Sequence, residues 1–207
     1  TEAARAMPGV RAVYTAADLQ AAGIKPMQAN IIGKNHDDRP LPKPSQWALA
    51  ADRVRYVGDP VAVVIAETTK QAKDAAEAVF ADIEALLAVT TAAEAARAGA
   101  PLLYDEAPGN VVLDFRFGNA EATEAAFARA AHVTTLRIRN SRIVVSAMEP
   151  RSALAEYDAA DDRFVLRVGC QGVWGLRNQV RAVMDIPQEK LRVLTGNVGG
   201  SFGMKAS

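Results

Sequence analysis

Apolar positions along the chain fall into short blocks whose spacing switches between period two and period 3.6, the mark of strands interleaved with helices. Residues 10–14 alternate as a strand, and Thr15 followed three positions later by Asp18 starts a short helix that Gly23 ends. Residues 25–45 place Pro26, Pro40, Pro42 and Pro44 around the polar cluster Lys34-Asn35-His36-Asp37-Asp38-Arg39, a long surface loop in which His36 is solvated. A short strand is expected at 53–57, a turn at Gly58-Asp59-Pro60, and a core strand covered on both faces at 61–66, where the apolar run is unbroken. Thr68 or Thr69 caps a helix whose Ala72, Ala75, Ala76 and Val79 share one face while Lys70, Lys73, Asp74 and Glu77 meet water. Periodicity does not separate helix from strand at 83–89, and we take that stretch as a returning strand.

Further along, 91–98 reads as an alanine-rich helix ending at Gly99, and Pro101, Pro108 and Gly109 mark a domain boundary near Gly109. Strands are expected at 111–117 and 133–138, flanking a helix over 121–130 that Asn119 caps, with His132 exposed at the junction. A hairpin follows, its strands running out of 148–158 and through 163–169 across the turn Ala160-Asp161-Asp162. A helix over 176–184 stops at Pro187, and residues 191–194 form the last strand. The order of elements is that of an α/β or α+β protein without internal repeats.

Composition narrows the chemistry. In 207 residues Lys plus Arg and Asp plus Glu are 24 each, so there is no net charge to draw the chain to nucleic acid or an anionic membrane. Cys170 is the single cysteine and His36 and His132 the two histidines, so no zinc or iron–sulfur spacing exists and any metal arrives with a cofactor or partner. No apolar run approaches the ~20 residues that cross a bilayer, and the start lacks the order of a secretory signal.

Chemistry concentrates after the last strand, in Asn197-Val198-Gly199-Gly200-Ser201-Phe202-Gly203-Met204-Lys205. A phosphate-binding P-loop needs Gly before and Ser or Thr after its lysine, whereas Met204 and Ala206 flank Lys205; the dinucleotide fingerprint fails on glycine spacing. What remains is a loop whose bare N–H groups face an anionic or oxo-bearing ligand, or else a tight bend. Gln171 leaves the preceding strand, so if the two strands are neighbours it flanks the same crevice. Glu149 and Arg151, separated by Pro150, read as a structural ion pair or turn anchor rather than catalytic groups. Cys170 reads as a small buried hydrophobe and Trp174 as a packing residue.

Five blocks in order, Pro8-Gly9-Val10-Arg11-Ala12-Val13-Tyr14-Thr15-Ala16-Ala17-Asp18-Leu19, Val54-Arg55-Tyr56-Val57-Gly58-Asp59-Pro60-Val61-Ala62, Met148-Glu149-Pro150-Arg151, Cys170-Gln171-Gly172 and Val198-Gly199-Gly200-Ser201-Phe202-Gly203-Met204-Lys205, resemble the large subunit of molybdenum hydroxylases. That is the xanthine dehydrogenase, aldehyde oxidase and aerobic carbon monoxide dehydrogenase family, and the resemblance covers nearly the whole chain. It implies an α/β hammerhead domain over 1–108, N-terminally incomplete, and the beginning of the molybdopterin-binding domain over 109–207. By the same resemblance Gln171 hydrogen-bonds an oxo ligand of molybdenum, Phe202 and Gly203 approach metal and pterin through their backbone, and Gly199 and Gly200 permit the approach. No side chain here binds the metal, and the family's base glutamate lies beyond Ser207.

The implied cofactor is molybdopterin cytosine dinucleotide, with FAD and iron–sulfur clusters on a medium and a small partner subunit. The implied assembly is a dimer of heterotrimers in the bacterial cytoplasm. The implied reaction oxidises an aldehyde, an N-heterocycle or carbon monoxide with oxygen taken from water. Ala206 stands where purine-oxidising members carry Glu, and Ser201 and Met204 replace frequent glycines, which points toward the carbon monoxide and aldehyde branches. Both ends interrupt family blocks, so a longer coding region is expected. The alternatives are a non-catalytic binding or assembly module and a short subunit of a split enzyme.

Overall fold

The computed structural model describes residues 1–29, 31–141 and 143–206. Its first half is built from α1 (Glu2–Arg5), β1 (Val10–Thr15), α2 (Ala16–Ala21), β2 (Met27–Gln28), β3 (Ser45–Gln46), β4 (Ala62–Ala66), α3 (Thr69–Glu77) and α4 (Ala92–Ala95). The Thr15–Asp18 pair forms the expected capping box, with the Thr15 N–H donating to Asp18 Oδ2 at 2.7 Å. This bond is the main reason the Asp18 carboxyl is held below its ordinary range.

β1 and β4 pair antiparallel, Tyr14 facing Val63, with an irregularity between Val10 and Ala12. Val13 of β1 is fully buried with Ala4 of α1 and Ala75 of α3, and Met7, Val64 and Val79 pack around them. Thr68 caps α3 by accepting the Gln71 N–H, and of the apolar face predicted for this helix Ala75 and Val79 enter the core while Ala76 stays exposed. β4 departs from expectation. It is covered on one face only, and Val63 and Ile65 remain largely exposed because its sheet has two strands and α3 lies on one side.

The long loop is pinned rather than free, although residue 30 lies outside the described part. β2 and β3 close it as an antiparallel pair. Asn35 is buried, donates to Arg39 O at 2.9 Å and accepts the Asp114 N–H at 2.9 Å. His36 is exposed, as expected, and also leans on the same segment: its backbone N–H donates to Asp114 O and its Nδ1 lies 3.3 Å from the Asp114 carboxylate.

The second half holds α5 (Ala120–Arg129), capped by Asn119, then β5 (Ala153–Asp158), β6 (Arg163–Val168), α6 (Val173–Met184) and β7 (Leu191–Leu194). β5 and β6 form the predicted hairpin, and Tyr157 packs on Phe164 with centroids 5.1 Å apart. The Tyr157 hydroxyl donates to Asp162 and Lys190 pairs with the same carboxylate, which lowers the Asp162 pKa and, through the first bond, raises that of Tyr157. β7 lies parallel to β6, and α6 makes the crossover that a parallel pair requires. α6 starts three residues earlier than the apolar pattern indicated. It ends before Pro187, at Asp185, which adopts a left-handed conformation and whose side chain meets Lys25 Nζ at 2.7 Å.

Four expected strands are absent among the described residues: 53–57, 83–89, 111–117 and 133–138. A strand exists only with a hydrogen-bonded neighbour, and none pairs with these stretches. Residues 53–59 instead close on themselves, the Arg55 N–H donating to Asp59 at 3.0 Å. α4 is also shorter than the predicted helix. The accessible surface is 15808 Å². That is far above the about 9,300 Å² expected of a compact monomer of this mass, and the excess is displayed by unpaired stretches bearing Phe80, Leu87, Phe117, Leu136, Ile138 and Val144.

Candidate functional site

Because β6 and β7 are parallel neighbours with Arg167 opposite Leu194, their carboxyl ends emerge side by side. Ligands in α/β sheets gather outside such strand ends. β6 continues through Gly169 and buried Cys170 to Gln171, and Gly172 opens α6. β7 continues through Thr195, whose hydroxyl receives the Cys170 N–H at 3.3 Å, into the glycine loop. The sequence-based condition, that the strands leading to Gln171 and to the loop be neighbours, is met. The Gln171 N–H donates to Lys205 O at 3.1 Å.

The loop is a tight backbone excursion. Gly200 at φ 97° and Gly203 at φ 87° occupy the left-handed region, which glycine enters at little cost. Phe202 between them is also left-handed, at φ 49°, and is 77% exposed. A bulky residue in that conformation is strained and is held there by its surroundings, here by the Met204 N–H donating to Ser201 O at 2.8 Å. Such local strain marks functional loops. Among the described residues the N–H groups of Gly200, Ser201, Phe202 and Gly203 donate to no protein acceptor, nor does the side-chain amide of Gln171.

A third segment, the turn before β5, closes the site. The Glu149 N–H donates to Gly199 O at 3.3 Å, and the Gly199 N–H returns a hydrogen bond to the Glu149 carboxylate. A Cβ on Gly199 would lie 2.7 Å from Glu149 Cβ, and one on Gly169 2.9 Å from Glu149 Oε1, so both glycines make room for this side chain. Glu149 is a turn anchor, one of the two roles read for it, and its ionic partner is Lys205 at 3.2 Å and not its sequence neighbour Arg151. The Gly199 N–H first, and then Lys205, hold the Glu149 carboxyl below its ordinary range. An open groove of about 530 Å³ runs beside this turn, with Glu149, Arg167, Gly169, Thr195 and Asn197 in its walls.

The structure thus brings Gln171, Gly199, Gly200, Phe202 and Gly203 to one sheet end and leaves His36 and His132 elsewhere. Cys170 is buried as expected, whereas Trp174 is exposed and stacks on the Arg177 guanidinium 4.0 Å from its ring centre. The Glu149–Lys205 pair escaped sequence reasoning because its members are 56 positions apart and no periodicity links them. Among the described residues no cluster of His, Cys, Asp and Glu is placed to hold a metal ion. Neutral N–H donors around a strained loop suit a bulky oxo-bearing cofactor better than a bare cation.

Comparison with known proteins agrees. Residues 103–207 match the molybdopterin cofactor-binding domain and residues 1–87 the aldehyde oxidase and xanthine dehydrogenase a/b hammerhead domain. The chain belongs to this family of molybdopterin-dependent oxidoreductases. It is 33% identical to the nicotine 6-hydroxylase large subunit of Paenarthrobacter nicotinovorans, over 100% of this chain and 24% of that protein. To the carbon monoxide dehydrogenase large chain of Hydrogenophaga pseudoflava it is 29% identical, over 99% and 26%. Among solved structures, quinoline 2-oxidoreductase from Pseudomonas putida 86 superposes with a TM-score of 0.82 at 31% identity, covering 99% of this chain and 25% of that one. The chain therefore spans about a quarter of the length of the relatives it matches. No described helix is long and apolar enough to cross a membrane.

Proposed function

We propose that this chain is part of a molybdenum hydroxylase large subunit that oxidises an N-heterocycle, aldehyde or carbon monoxide with oxygen from water. The observation that carries this reading is the run of free backbone N–H groups from Gly200 to Gly203 beside the free amide of Gln171. In this reading Gln171 donates to an oxo group, and Phe202 and Gly203 present their backbone to the cofactor where Gly199 and Gly200 leave space. Neutral donors stabilise an oxo group without an ionic bond that would resist turnover. When bound, molybdopterin cytosine dinucleotide with molybdenum supplies the two-electron redox change that hydroxylation requires.

The division falls near residue 108, with the hammerhead domain before it and the cofactor domain after. The names of the relatives at 33% and 31% identity favour an N-heterocycle over carbon monoxide. Electrons leave through an iron–sulfur small subunit and an FAD medium subunit in a cytoplasmic dimer of heterotrimers. The apolar surface left uncovered by this chain supports an assembly of that kind.

The test is turnover of the native protein in ¹⁸O-labelled water with representatives of the three substrate classes and a dye acceptor. Label should enter the product of an N-heterocycle. Product labelled only from molecular oxygen, or no product from any class, contradicts the proposal. Gln171→Ala should lower kcat by about 10²-fold or more, as loss of one oxyanion donor does, with a smaller change in KM.

A further inference from the structure

Every polar group of Lys205, backbone and side chain, is engaged. Its side chain is 1% exposed, yet it carries an ammonium group. Nζ donates to Glu149 O at 2.8 Å and lies 3.2 Å from Glu149 Oε2, while the backbone O accepts the Gln171 N–H and the backbone N–H donates to Ser201 Oγ at 3.1 Å. Three segments, the 149 turn, the exit of β6 and the middle of the glycine loop at Ser201, therefore meet on one residue. A buried ammonium is stable only with such partners, so its presence fixes where the turn carrying Glu149 lies. Glu149 in turn holds the Gly199 N–H, immediately before the four free amides.

We infer that Lys205 is a positioning residue: its buried ammonium clamps the Glu149 turn against the glycine loop and so sets the direction of the Gly200–Gly203 amides relative to Gln171. The inference rests on the reading of that loop as a cofactor cradle. The role runs through Glu149 and Gly199, the groups that Lys205 and its partner hold. Lys205→Met keeps the apolar stem and removes the three donors, and the half-exposed Glu149 carboxylate can return to water. Glu149→Gln keeps the shape and an acceptor oxygen and weakens only the ionic part, so it remains informative if Lys205→Met does not fold.

The experiment is amide hydrogen exchange on the native protein and both variants, alongside molybdenum content. In Lys205→Met the amides of residues 199–203 should exchange about tenfold faster or more, those of the β5–β6 ladder should hold, and bound molybdenum should fall. Glu149→Gln should lie between, and Lys205→Arg, which retains the charge, should recover part of the protection. Unchanged exchange at 199–203 in a folded Lys205→Met or Glu149→Gln variant overturns the clamp whatever the metal content. Faster exchange with undiminished molybdenum supports the clamp and removes the loop from the cofactor cradle.

Discussion

Gly199→Ala is expected to destabilise the site by about 1–3 kcal/mol, the usual cost of forcing atoms into a filled position. Gly199 is not left-handed, so the substitution introduces no backbone strain of its own. The cost comes from a new methyl placed 2.7 Å from Glu149 Cβ, an atom too close to the main chain to swing aside. Either the loop or the Glu149 turn must move, and the hydrogen bond between the Gly199 N–H and the carboxylate stretches with it.

That bond is the first cause of the lowered Glu149 pKa, so in Gly199→Ala the carboxyl should titrate closer to its ordinary value. The sign of the linkage follows. A depressed carboxyl contributes stability that is fully present above its unfolded value and lost as pH falls through the folded one. The stability this carboxyl contributes in the native protein should therefore be complete at neutral pH, begin to fall once pH drops below the ordinary carboxylate value, and be gone below the lowered native value. In the variant the contribution is smaller and its window narrower. Carbon-13 titration of Glu149, with denaturant unfolding, measures both effects. A variant with unchanged stability and an unchanged Glu149 titration would show that the glycine is not needed for this contact.

Asn35→Ala should cost about 1–3 kcal/mol by a different route, since it orphans partners instead of crowding them. Asn35 is buried in a proline-punctuated loop, and its side chain joins Arg39 O to the Asp114 N–H 79 positions away. Removing it leaves both groups unpaired and frees the contact between the loop and the segment that follows Asn110. Denaturant unfolding gives the loss. Faster amide exchange at Asp114, with the β1–β4 pair unaffected, locates it. An exchange rate at Asp114 that does not change would mean the bond is dispensable.

These two sites differ in how far the linear pattern reveals them. Helices that carry their own caps were legible: Thr15, Thr68 and Asn119 each announced a start because capping is settled within four residues. The hairpin around Asp161 was legible for the same local reason. The parallel pairing of β6 with β7, on which the gathering of Gln171 with the glycine loop depends, was only a condition in the sequence that the structure meets. The stretches at 111–117 and 133–138 carry alternation without a ladder, because alternation states which face is apolar and says nothing of which strand lies alongside.

Contacts that join distant positions left no local trace. The Asn35–Asp114 bond and the Glu149–Lys205 pair arise from tertiary packing. For that reason the sequence set Arg151 beside Glu149 and gave no sign of Lys205, and it did not place the exposed His36 against Asp114. The left-handed Phe202 was likewise invisible, since the glycines around it suggest a bend but not which residue bears the strain.

The central claim is that the loop and Gln171 hold a molybdenum cofactor, and its most direct test is the molybdenum and pterin content of the native protein purified from its source. The account predicts about one molybdenum and one cytosine-dinucleotide pterin per chain, with both falling together in Gly199→Ala. Protein that is folded and free of both, from cells that make the cofactor, would contradict it.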